Sequence, residues 1–309
     1  MTGPFGDARL QDLPFELPHR FLGLDDAAGD FDAAGAVVLP VPYESTTSFG
    51  GGTRRGPHAI IEASRYVETY DQELDCEPCA LGVHTLPALE LTRAGAASAM
   101  EELEEAYGRV LEAVGSRFLL MLGGEHSISA PAIRAVARAA GQRIQVLQFD
   151  AHADLRAEYE GSPASHASAM ARVLDHADVL AVGIRGVSTE EIEVSRAHAG
   201  SHLIFADDMW QDDTWMDRAL ERLGDPVYIT FDVDYFDPAL VPSTGTPEPG
   251  GGDWYRTLHF LRRVFQERTV LAADIVELAP IPGLHAPDFL VAKLAYKFLA
   301  YRYERVRGG

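Results

Sequence analysis

Residues 144–154 read IQVLQFDAHAD and join an apolar run to three metal-competent side chains. The run IQVLQF is typical of a buried strand, and Asp150, His152 and Asp154 follow directly after it. If the strand continued through DAHAD, these side chains would share one face, but the outer two would lie about 13 Å apart at about 3.3 Å per residue. No single ion could contact both. We therefore expect the strand to end near Asp150 and the chain to curl, so that His152 and Asp154 turn back toward the strand tip.

Six further apolar runs follow the pattern of IQVLQF. They lie at 35–41, 117–122, 179–184, 203–206, 227–231 and 270–277. Most are apolar on both faces, which is typical of strands in a parallel sheet covered by helices on each side. Segments with apolar residues at three- and four-residue intervals lie between them, at 56–70, 97–114, 129–140, 214–223 and 254–265. This alternation predicts a three-layer α/β fold (αβα) in which ligands bind beyond the carboxyl ends of the strands.

The composition limits the class of protein. The chain has 309 residues, of which 47% are apolar, and its 47 acidic and 26 basic side chains give a formal net charge of −21. This balance argues against nucleic-acid binding, which requires clustered Lys and Arg, and favours cationic ligands. A solvated acidic surface accounts for most of these charges. No linker, repeat or charge block divides the chain, so we predict a single domain over residues 1–309.

Neither a membrane span nor a secretory signal is predicted. The longest aliphatic stretches, such as FLLML at 118–122, are far shorter than the roughly twenty residues of a membrane helix. Residues 1–16 lack a basic region followed by an apolar segment, so we expect a cytoplasmic protein. Cys76 and Cys79 form an isolated CEPC motif, and a structural zinc site would need two further ligands. Free thiols are therefore favoured over a local redox pair.

Metal-competent residues also follow two other predicted strands. His126 follows one in GGEHS, and Asp232 and Asp234 follow another in FDVDYFDP. Each residue alone has an ordinary explanation as a turn or helix-cap residue. Together with DAHAD, however, the motifs crowd carboxylates on one rim with no basic residue among them, and such carboxylates repel one another. Divalent cations are the expected compensation.

The ligand types indicate the ion and the number of ions. Four Asp and two His without a thiolate suit Mn²⁺ better than structural Zn²⁺. Six side chains are too many for one catalytic ion with an open position, but they serve two ions about 3.5–4 Å apart if one or two carboxylates bridge. Four carboxylates balance the charge of two divalent ions. We therefore predict two Mn²⁺ ions, which as a pair activate water at neutral pH.

Four motifs resemble the signature blocks of the ureohydrolase family, which contains arginases, agmatinases and related amidinohydrolases. They are STTSFGGGTRRGPHAI (45–60), GGEHS (123–127), DAHAD (150–154) and TFDVDYFDP (230–238), and they occur in the family's order. The resemblance extends from about residue 36 to about residue 280 and covers most of the chain. It implies an αβα fold around an eight-stranded, mainly parallel sheet, of which seven strands are evident in the sequence. It also implies a homo-oligomer, usually a trimer or a hexamer.

The resemblance further implies six protein ligands for the two Mn²⁺ ions. One ion would be bound by His126, Asp150, Asp154 and Asp232, and the other by Asp150, His152, Asp232 and Asp234. Asp150 and Asp232 would bridge the two ions.

Two more residues align with functional positions of the family. Glu277, in DIVELAP, aligns with the glutamate that binds the guanidinium group, and a rim carboxylate can accept paired N–H donors from a planar guanidinium. His166, in SPASHASAM, aligns with a histidine that shuttles protons. The alternatives are an ordinary glutamate at a strand end and an ordinary histidine in a loop or at a helix start.

Two positions depart from the family's usual motifs. The usual GGDHS is GGEHS here, and the longer Glu125 puts the support of His126 in doubt. The usual SFDVD is TFDVD here, and because Thr230 keeps the hydroxyl group, we expect a nearly neutral change.

The segment after Asp154 bears on the substrate's tail, which is the part of the molecule attached to the guanidinium group. Its sequence LRAEYEGSPASH lacks the Asn and Ser residues with which arginases read an α-carboxylate and an α-amine, and it is similar to agmatinases. Glu158, like Glu160, would favour an amine-ended substrate, although both are also ordinary loop glutamates. Arg156 would instead attract a carboxylate tail, such as that of guanidinobutyrate or formimidoylglutamate, or pair with an acidic neighbour.

These observations predict an agmatinase-like hydrolase that converts agmatine to urea and putrescine. The guanidinium would bind to Glu277, Asp154 would pass a proton to the departing amine, and His166 would exchange protons with solvent. A guanidino-acid amidinohydrolase is an alternative. So are a one-metal zinc deacetylase of the related fold and a non-catalytic polyamine-binding protein. The retention of all six ligands argues against the last two.

Overall fold

The computed structural model describes residues 19–308, in which eight strands form one sheet. The N-terminal stretch considered for a secretory signal lies outside the described residues. The strands are β1 (Ala36–Val41), β2 (Val83–Thr85), β3 (Phe118–Gly123), β4 (Ile144–Phe149), β5 (Ala177–Ile184), β6 (Ser201–Phe205), β7 (Val227–Asp232) and β8 (Val270–Val276). Their order in the sheet is β2-β1-β3-β8-β7-β4-β5-β6, and all neighbouring strands are parallel.

Helices cover both faces of the sheet. They are α1 (Gly56–Ser64), α2 (Ala96–Val114), α3 (Ser129–Ala140), α4 (Thr189–Ala197), α5 (Ala206–Gln211), α6 (Thr214–Arg222), α7 (Trp254–Glu267) and α8 (Ala286–Gly308). One buried cluster joins the sheet to α1, α6, α7 and α8, and a second joins it to α2 and α3. Successive residues of a strand contribute to opposite clusters, as with Val37 and Val38 of β1. The predicted three-layer αβα fold is confirmed.

The strand that the sequence did not reveal is β2. Its three residues read VHT, and three residues are too few to show a periodic pattern. Its place in the sheet depends on pairing with β1, where Val83 lies opposite Ala36. The other seven strands begin and end within about two residues of the predicted runs. The sheet is wholly parallel, a stricter arrangement than the mainly parallel sheet that the family resemblance implied.

The predicted helices are less accurate than the predicted strands. The helix expected over 56–70 ends at Ser64, whose hydroxyl donates to the carbonyl of Ile61 (2.6 Å) and accepts from the amide of Leu22 (2.8 Å). These bonds tie the chain into a turn and end the helix. Three helices, α4, α5 and α8, were not predicted. Helix α8 is buried over much of its length because it contacts the sheet and also the helices α1 and α7, which removes the one-sided apolar pattern of a surface helix.

Two expectations concern segments away from the sheet. Cys76 and Cys79 are free thiols, as favoured from the sequence. Within residues 19–308, no helix has both the length and the apolar character needed to cross a membrane.

Four adjacent strands of the sheet, β3, β8, β7 and β4, bring the candidate site residues together. His126 follows β3, Asp150 follows β4, Asp232 ends β7 and Glu277 follows β8. Because the strands are parallel, their carboxyl ends lie at one edge of the sheet, and residues that follow them converge there. The fold therefore places the sequence motifs at a common edge.

Candidate active site

The first group of candidate ligands surrounds the Nδ1 atom of His126. This atom lies 3.0 Å from Oδ2 of Asp150 and 3.0 Å from Oδ2 of Asp154. Asp232 approaches the same nitrogen from β7, with its Oδ2 at 3.4 Å. All four side chains are buried. The His126 nitrogen has no hydrogen-bond partner among the described residues, so it is an orphaned buried atom that faces carboxylate oxygens.

The second group consists of Asp150, His152 and Asp234. Nδ1 of His152 lies 2.9 Å from Oδ2 of Asp234 and 3.7 Å from Oδ1 of Asp150. Asp150 therefore turns one oxygen toward His126 and the other toward His152. It is common to both groups, as expected of a bridging ligand.

The chain curls after β4 for local reasons that can be read from its hydrogen bonds. The amide of His152 donates to Oδ1 of Asp150 (2.6 Å), and the amide of Ala151 donates to Oδ1 of Asp234 (3.0 Å). Asp154 then adopts φ = +53°, in the left-handed region that residues other than glycine rarely use. Gln148 holds the start of the curl, because its amide group donates to Oδ2 of Asp150 (2.8 Å). The strained turn at Asp154 brings its carboxylate back to the strand tip.

His126 is positioned by a chain of buried hydroxyl and carboxylate groups. Its Nε2 atom lies 2.8 Å from Oγ1 of Thr230, and this hydroxyl donates to Oδ1 of Asp274 (2.7 Å). Tyr228 donates to the other oxygen of Asp274 (2.7 Å). Because the Thr230 hydroxyl donates to Asp274, it accepts from Nε2–H of His126, which leaves Nδ1 as a free ligand atom. The hydroxyl at position 230 thus orients His126, and Thr230 retains this hydroxyl where the family usually has Ser.

Glu125 has a different role from the one that the sequence suggested. Its carboxylate accepts the amides of Ser45 (2.6 Å) and Thr46 (2.7 Å) and the hydroxyls of Thr46 and Ser127. The sequence put the support of His126 by Glu125 in doubt, and in the structure that support comes from Thr230. Glu125 instead anchors the loop after β1. The longer side chain reaches a loop that lies about eighty positions earlier in the sequence.

Glu277 lies directly after β8 and reaches back to the first ligand group. Its Oε1 atom accepts the amide of His126 (2.6 Å), and its own amide donates to the carbonyl of Gly124 (2.8 Å). The residue is buried and has φ = +65°, a second strained backbone conformation at the site. These constraints fix the Glu277 carboxylate beside the two ligand groups.

The electrostatics of the site indicate a missing positive charge. Burial, with the charges of Asp234 and Asp150, raises the pKa of Asp232 well above its usual range, and burial does the same for the pKa of Glu277. Burial also lowers the pKa of His152, but the carboxylates of Asp234 and Asp150 outweigh it and raise this pKa to about 12. The buried acids therefore retain protons and attract protonated histidines unless other cations are present.

The pKa values of the other ligand residues follow the same logic. Burial raises the pKa of Asp150, but its contacts with His126 and His152 outweigh burial and hold the value well below the usual range. For His126, burial lowers the pKa, and the neighbouring Asp150 and Asp154 raise it well above the usual range.

The donor set fits a pair of divalent cations. It offers two imidazole nitrogens and the carboxylate oxygens of four aspartates in two groups that overlap at Asp150. No thiolate takes part, and the orphaned nitrogen of His126 points at the first group. Oxygen and imidazole ligands of this kind suit hard or borderline divalent ions.

A narrow cavity opens onto the cluster. It is lined by five of the six ligand residues, all except Asp150, by Glu277 and His166, and by the loops 47–50 and 245–246. His166 donates its amide to Oγ1 of Thr46 (3.0 Å), which sets it in the cavity wall. Phe49, at the tip of the first loop, is 85% exposed.

Two other residues predicted to contact the substrate lie elsewhere. Arg156 approaches Oε2 of the buried Glu191 (3.8 Å) and stacks over the ring of Tyr159. This is the pairing with an acidic neighbour that the sequence left open. Glu158 is exposed. Neither Arg156 nor Glu158 is among the described residues that line the cavity.

Sequence reasoning missed several residues that support the site. Asp274 lies within an otherwise apolar strand and Gln148 within a mainly apolar one, and a buried polar residue at such a position is a signal that could have indicated them. Glu248, whose carboxylate lies 3.9 Å from Nε2 of His152, gave no such signal because it belongs to a loop 96 positions later.

Comparisons with known proteins agree with this geometry. Residues 34–300 match the family described as the Arginase family. An N(1)-aminopropylagmatine ureohydrolase of Synechocystis sp. is 38% identical over 295 residues, which cover 94% of this chain and 96% of that protein. An agmatinase of Bacillus subtilis is 32% identical over 259 residues, or 82% and 86% of the two chains. The crystal structure of agmatine ureohydrolase of Thermoplasma volcanium superposes with a TM-score of 0.83 at 29% sequence identity. The superposition covers 96% of this chain and 97% of that chain.

Proposed function

The chain belongs to the arginase family, and from that premise we propose that it hydrolyses the guanidinium group of an agmatine-type amine to urea and the free amine. The observation that carries the proposal is the pair of buried His/Asp groups that share Asp150 and lie beside the Glu277 carboxylate. The names of the agmatine-directed relatives support the choice of substrate class.

We infer that the cofactors are two Mn²⁺ ions. The residues that would hold one ion are His126, Asp150, Asp154 and Asp232, and those that would hold the other are Asp150, His152, Asp232 and Asp234. When bound, such a pair activates water at neutral pH and stabilises the charge that develops during hydrolysis. The orphaned nitrogen of His126 and the raised pKa of Asp232 support this inference, because within residues 19–308 the nitrogen has no hydrogen-bond partner and burial among other carboxylates disfavours the charged form of Asp232.

Glu277 binds the guanidinium group in this proposal. A carboxylate accepts paired N–H donors from a planar guanidinium, and this geometry orients the group as well as attracting its charge. The amide of His126 holds one carboxylate oxygen of Glu277, so the side chain is fixed before the substrate arrives. The guanidinium is therefore presented to the ligand cluster in one orientation.

Asp154 and His166 handle the protons. Asp154 is buried beside the ligand cluster, with its Oδ2 atom 3.0 Å from Nδ1 of His126, so its carboxylate is placed to pass a proton to the departing amine nitrogen. His166 lies in the cavity wall and is half-buried, so it can exchange protons with solvent. Water adds its oxygen to the guanidinium carbon, and the bond from this carbon to the amine nitrogen breaks. The amine nitrogen leaves with the proton, and the carbon, with its two other nitrogens and the oxygen from water, becomes urea.

The identities of the two relatives indicate which amine-tailed compound is the preferred substrate. The N(1)-aminopropylagmatine ureohydrolase has higher identity to this chain, over a larger share of it, than the Bacillus subtilis agmatinase. We therefore propose N(1)-aminopropylagmatine as the preferred substrate, with spermidine as its product, and agmatine as a second substrate that yields putrescine. The pairing of Arg156 with Glu191 removes the feature that favoured a guanidino acid.

A panel of substrates tests the proposal. Urea release is measured with Mn²⁺-loaded protein on N(1)-aminopropylagmatine, agmatine, arginine and guanidinobutyrate. We expect kcat/KM for the two amine-tailed compounds to exceed the others by about ten- to hundredfold, the typical contribution of a charge-assisted hydrogen bond to the tail. A preference for guanidinobutyrate would contradict the proposal that the substrate has an amine tail. If none of the compounds releases urea, the proposed hydrolase function is contradicted. Light scattering on the same sample tests the proposed trimer or hexamer.

A further inference from the structure

Glu248 lies next to the ligand cluster and has no role in the chemistry proposed above. We propose that its carboxylate binds the amine of the substrate tail and so selects amine-tailed guanidines. This inference rests on the proposed function and adds the residue that reads the tail.

The position of Glu248 is the first argument. Its Oε1 atom lies 3.9 Å from Nε2 of His152, which is the nitrogen on the far side of the ring from the ligand cluster. The Glu248 side chain is 42% exposed and that of His152 is 26% exposed. The carboxylate is therefore one imidazole ring away from the cluster, outside the set of residues that line the narrow cavity with Glu277, and accessible to a molecule that enters from solvent.

The second argument is that Glu248 is uncommitted, whereas nearby glutamates are not. Glu44 and Glu125 accept backbone amides of the loop after β1. Glu191 accepts the amides of Leu155 and Ser188. Within residues 19–308, no Lys or Arg side chain forms an ion pair with Glu248. The ion-pair contact of the Glu248 carboxylate is the 3.9 Å approach to Nε2 of His152, and no Lys or Arg neutralises it within the same residues, so it can bind a cationic ligand.

The third argument is that the backbone of Glu248 is held in place. It lies between Pro247 and Pro249, which restrict the backbone on both sides. The guanidinium of Arg185 donates to the carbonyls of Glu248 (2.8 Å) and Pro249 (3.1 Å), and also to the carbonyl of Asp234 (2.7 Å). One side chain thus joins the Glu248 loop to a ligand residue. A preorganised carboxylate binds a flexible amine at a lower entropic cost than a mobile one.

The absence of a side chain at Gly186 permits the close approach of Glu248 to His152. A Cβ atom at Gly186 would lie 2.6 Å from Cδ2 of His152 and 3.3 Å from Oε1 of Glu248. No side chain fits there without displacing the histidine ring. Glycine at position 186 therefore leaves the space in which the two groups approach each other.

The chemistry of the tail matches this arrangement. In agmatine, four methylene groups separate the guanidinium from a primary amine, and in N(1)-aminopropylagmatine the corresponding nitrogen is a secondary amine. Both nitrogens are protonated at neutral pH and donate charge-assisted hydrogen bonds to a carboxylate. The carboxylate tail of a guanidino acid would instead be repelled by Glu248. Glu248 would therefore favour amine-tailed guanidines and disfavour guanidino acids.

The test compares agmatine with n-butylguanidine, which has the same carbon chain without the amine. For Glu248→Gln we expect kcat/KM to fall about ten- to hundredfold with agmatine, mainly through KM, which is the typical effect of losing a hydrogen bond to a charged group. With n-butylguanidine it should change by less than about twofold. Glu190→Gln, an exposed residue of α4, is the matched control and should change neither value.

Other outcomes overturn the inference. If Glu248→Gln lowers turnover of both compounds equally or reduces the number of bound Mn²⁺ ions, Glu248 acts through His152 and not on the tail. If Glu248→Gln changes kcat/KM for neither compound, or if only Glu158→Gln lowers kcat/KM for agmatine, another residue binds the amine of the tail. If wild type releases no urea, the proposed function fails, and calorimetric titration of the same two compounds still tests Glu248. Selective loss of agmatine binding then supports its role, and equal or no loss contradicts it.

Discussion

Two acidic clusters within residues 19–308 differ in where their positive charge comes from. Away from the active site, Asp71 and Glu73 contact the ammonium of Lys297 at 2.7 and 2.8 Å. Arg262 approaches Glu73 at 3.0 Å, and the Tyr301 hydroxyl donates to it. At the carboxyl edge of the sheet, four aspartates and Glu277 share two histidines and no Lys or Arg within the ligand groups.

The pKa values express the same difference. Burial raises the pKa of Glu73, but its hydrogen bonds with Lys297 and Tyr301 outweigh burial and hold the value below the usual range. The pKa values of Asp232 and Glu277 are instead raised well above their usual range, mainly by burial. Lys and Arg side chains neutralise the first cluster, whereas within the ligand groups of the second only histidines face the carboxylates. The comparison separates a structural ion pair from a metal site that uses the same residue types.

The largest expected effect comes from Asp150→Asn, because Asp150 belongs to both ligand groups. We expect loss of both Mn²⁺ ions and a fall in kcat/KM of at least about 10⁴-fold, or about 5 kcal/mol of transition-state stabilisation. Metal analysis and urea release measure the two quantities. The matched control is Asp71→Asn in the other cluster, which should leave the metal content unchanged. Retention of two ions by Asp150→Asn would contradict its shared position.

The next effect concerns stability. Lys297→Met leaves Asp71 and Glu73 without their buried cation, and we expect the free energy of unfolding to fall by about 3–5 kcal/mol. Denaturant unfolding of wild type and variant, both prepared without metal, measures the difference. Folded Lys297→Met should still bind two ions when they are added. A change of less than about 1 kcal/mol would show that the pair is not a structural requirement.

Glu277→Ala should separate metal binding from substrate binding. Its carboxylate accepts the amide of His126 but is not in either ligand group, so two Mn²⁺ ions should remain bound. Loss of the guanidinium contact should lower kcat/KM about a hundredfold, or about 3 kcal/mol. Metal analysis beside steady-state kinetics measures both. Normal turnover by this variant would show that the substrate binds in another orientation.

The smallest effect is expected from the hydroxyl that supports His126. Thr230→Val removes the partner of Nε2, and we expect Mn²⁺ affinity to fall about tenfold, as is typical when such a supporting group is lost. Thr230→Ser keeps the hydroxyl and should remain within about twofold of wild type. Titration of metal-free protein with Mn²⁺ compares the two variants. Equal affinities would mean that Asp274 and Thr230 do not position the histidine.

The sequence predicted much of the sheet and of the ligand cluster because both depend on local patterns. The apolar run before Asp150 is a strand without help from distant residues, and the impossible span of a straight DAHAD segment indicated the curl. In contrast, β2 is too short to show a pattern, and its formation depends on pairing with β1.

Long-range contacts account for what the sequence could not show. Glu125 binds the amide of Ser45, eighty positions away, and Glu248 approaches His152 across 96 positions. No local pattern reports such pairs. The partner of Arg156 is different, because Ser188 and Glu191 have the spacing of a helix capping box, a local signal that places Glu191 at the start of α4.

The central claim is that the acid cluster at the carboxyl edge holds a pair of Mn²⁺ ions that the chain's own cations cannot replace. Metal analysis of wild-type protein, loaded with Mn²⁺ and freed of excess ion, tests it most directly. The account predicts two ions per chain, and urea release from an agmatine-type substrate that chelation abolishes and added Mn²⁺ restores. At most one ion per chain, or hydrolysis that persists after complete chelation, would contradict it.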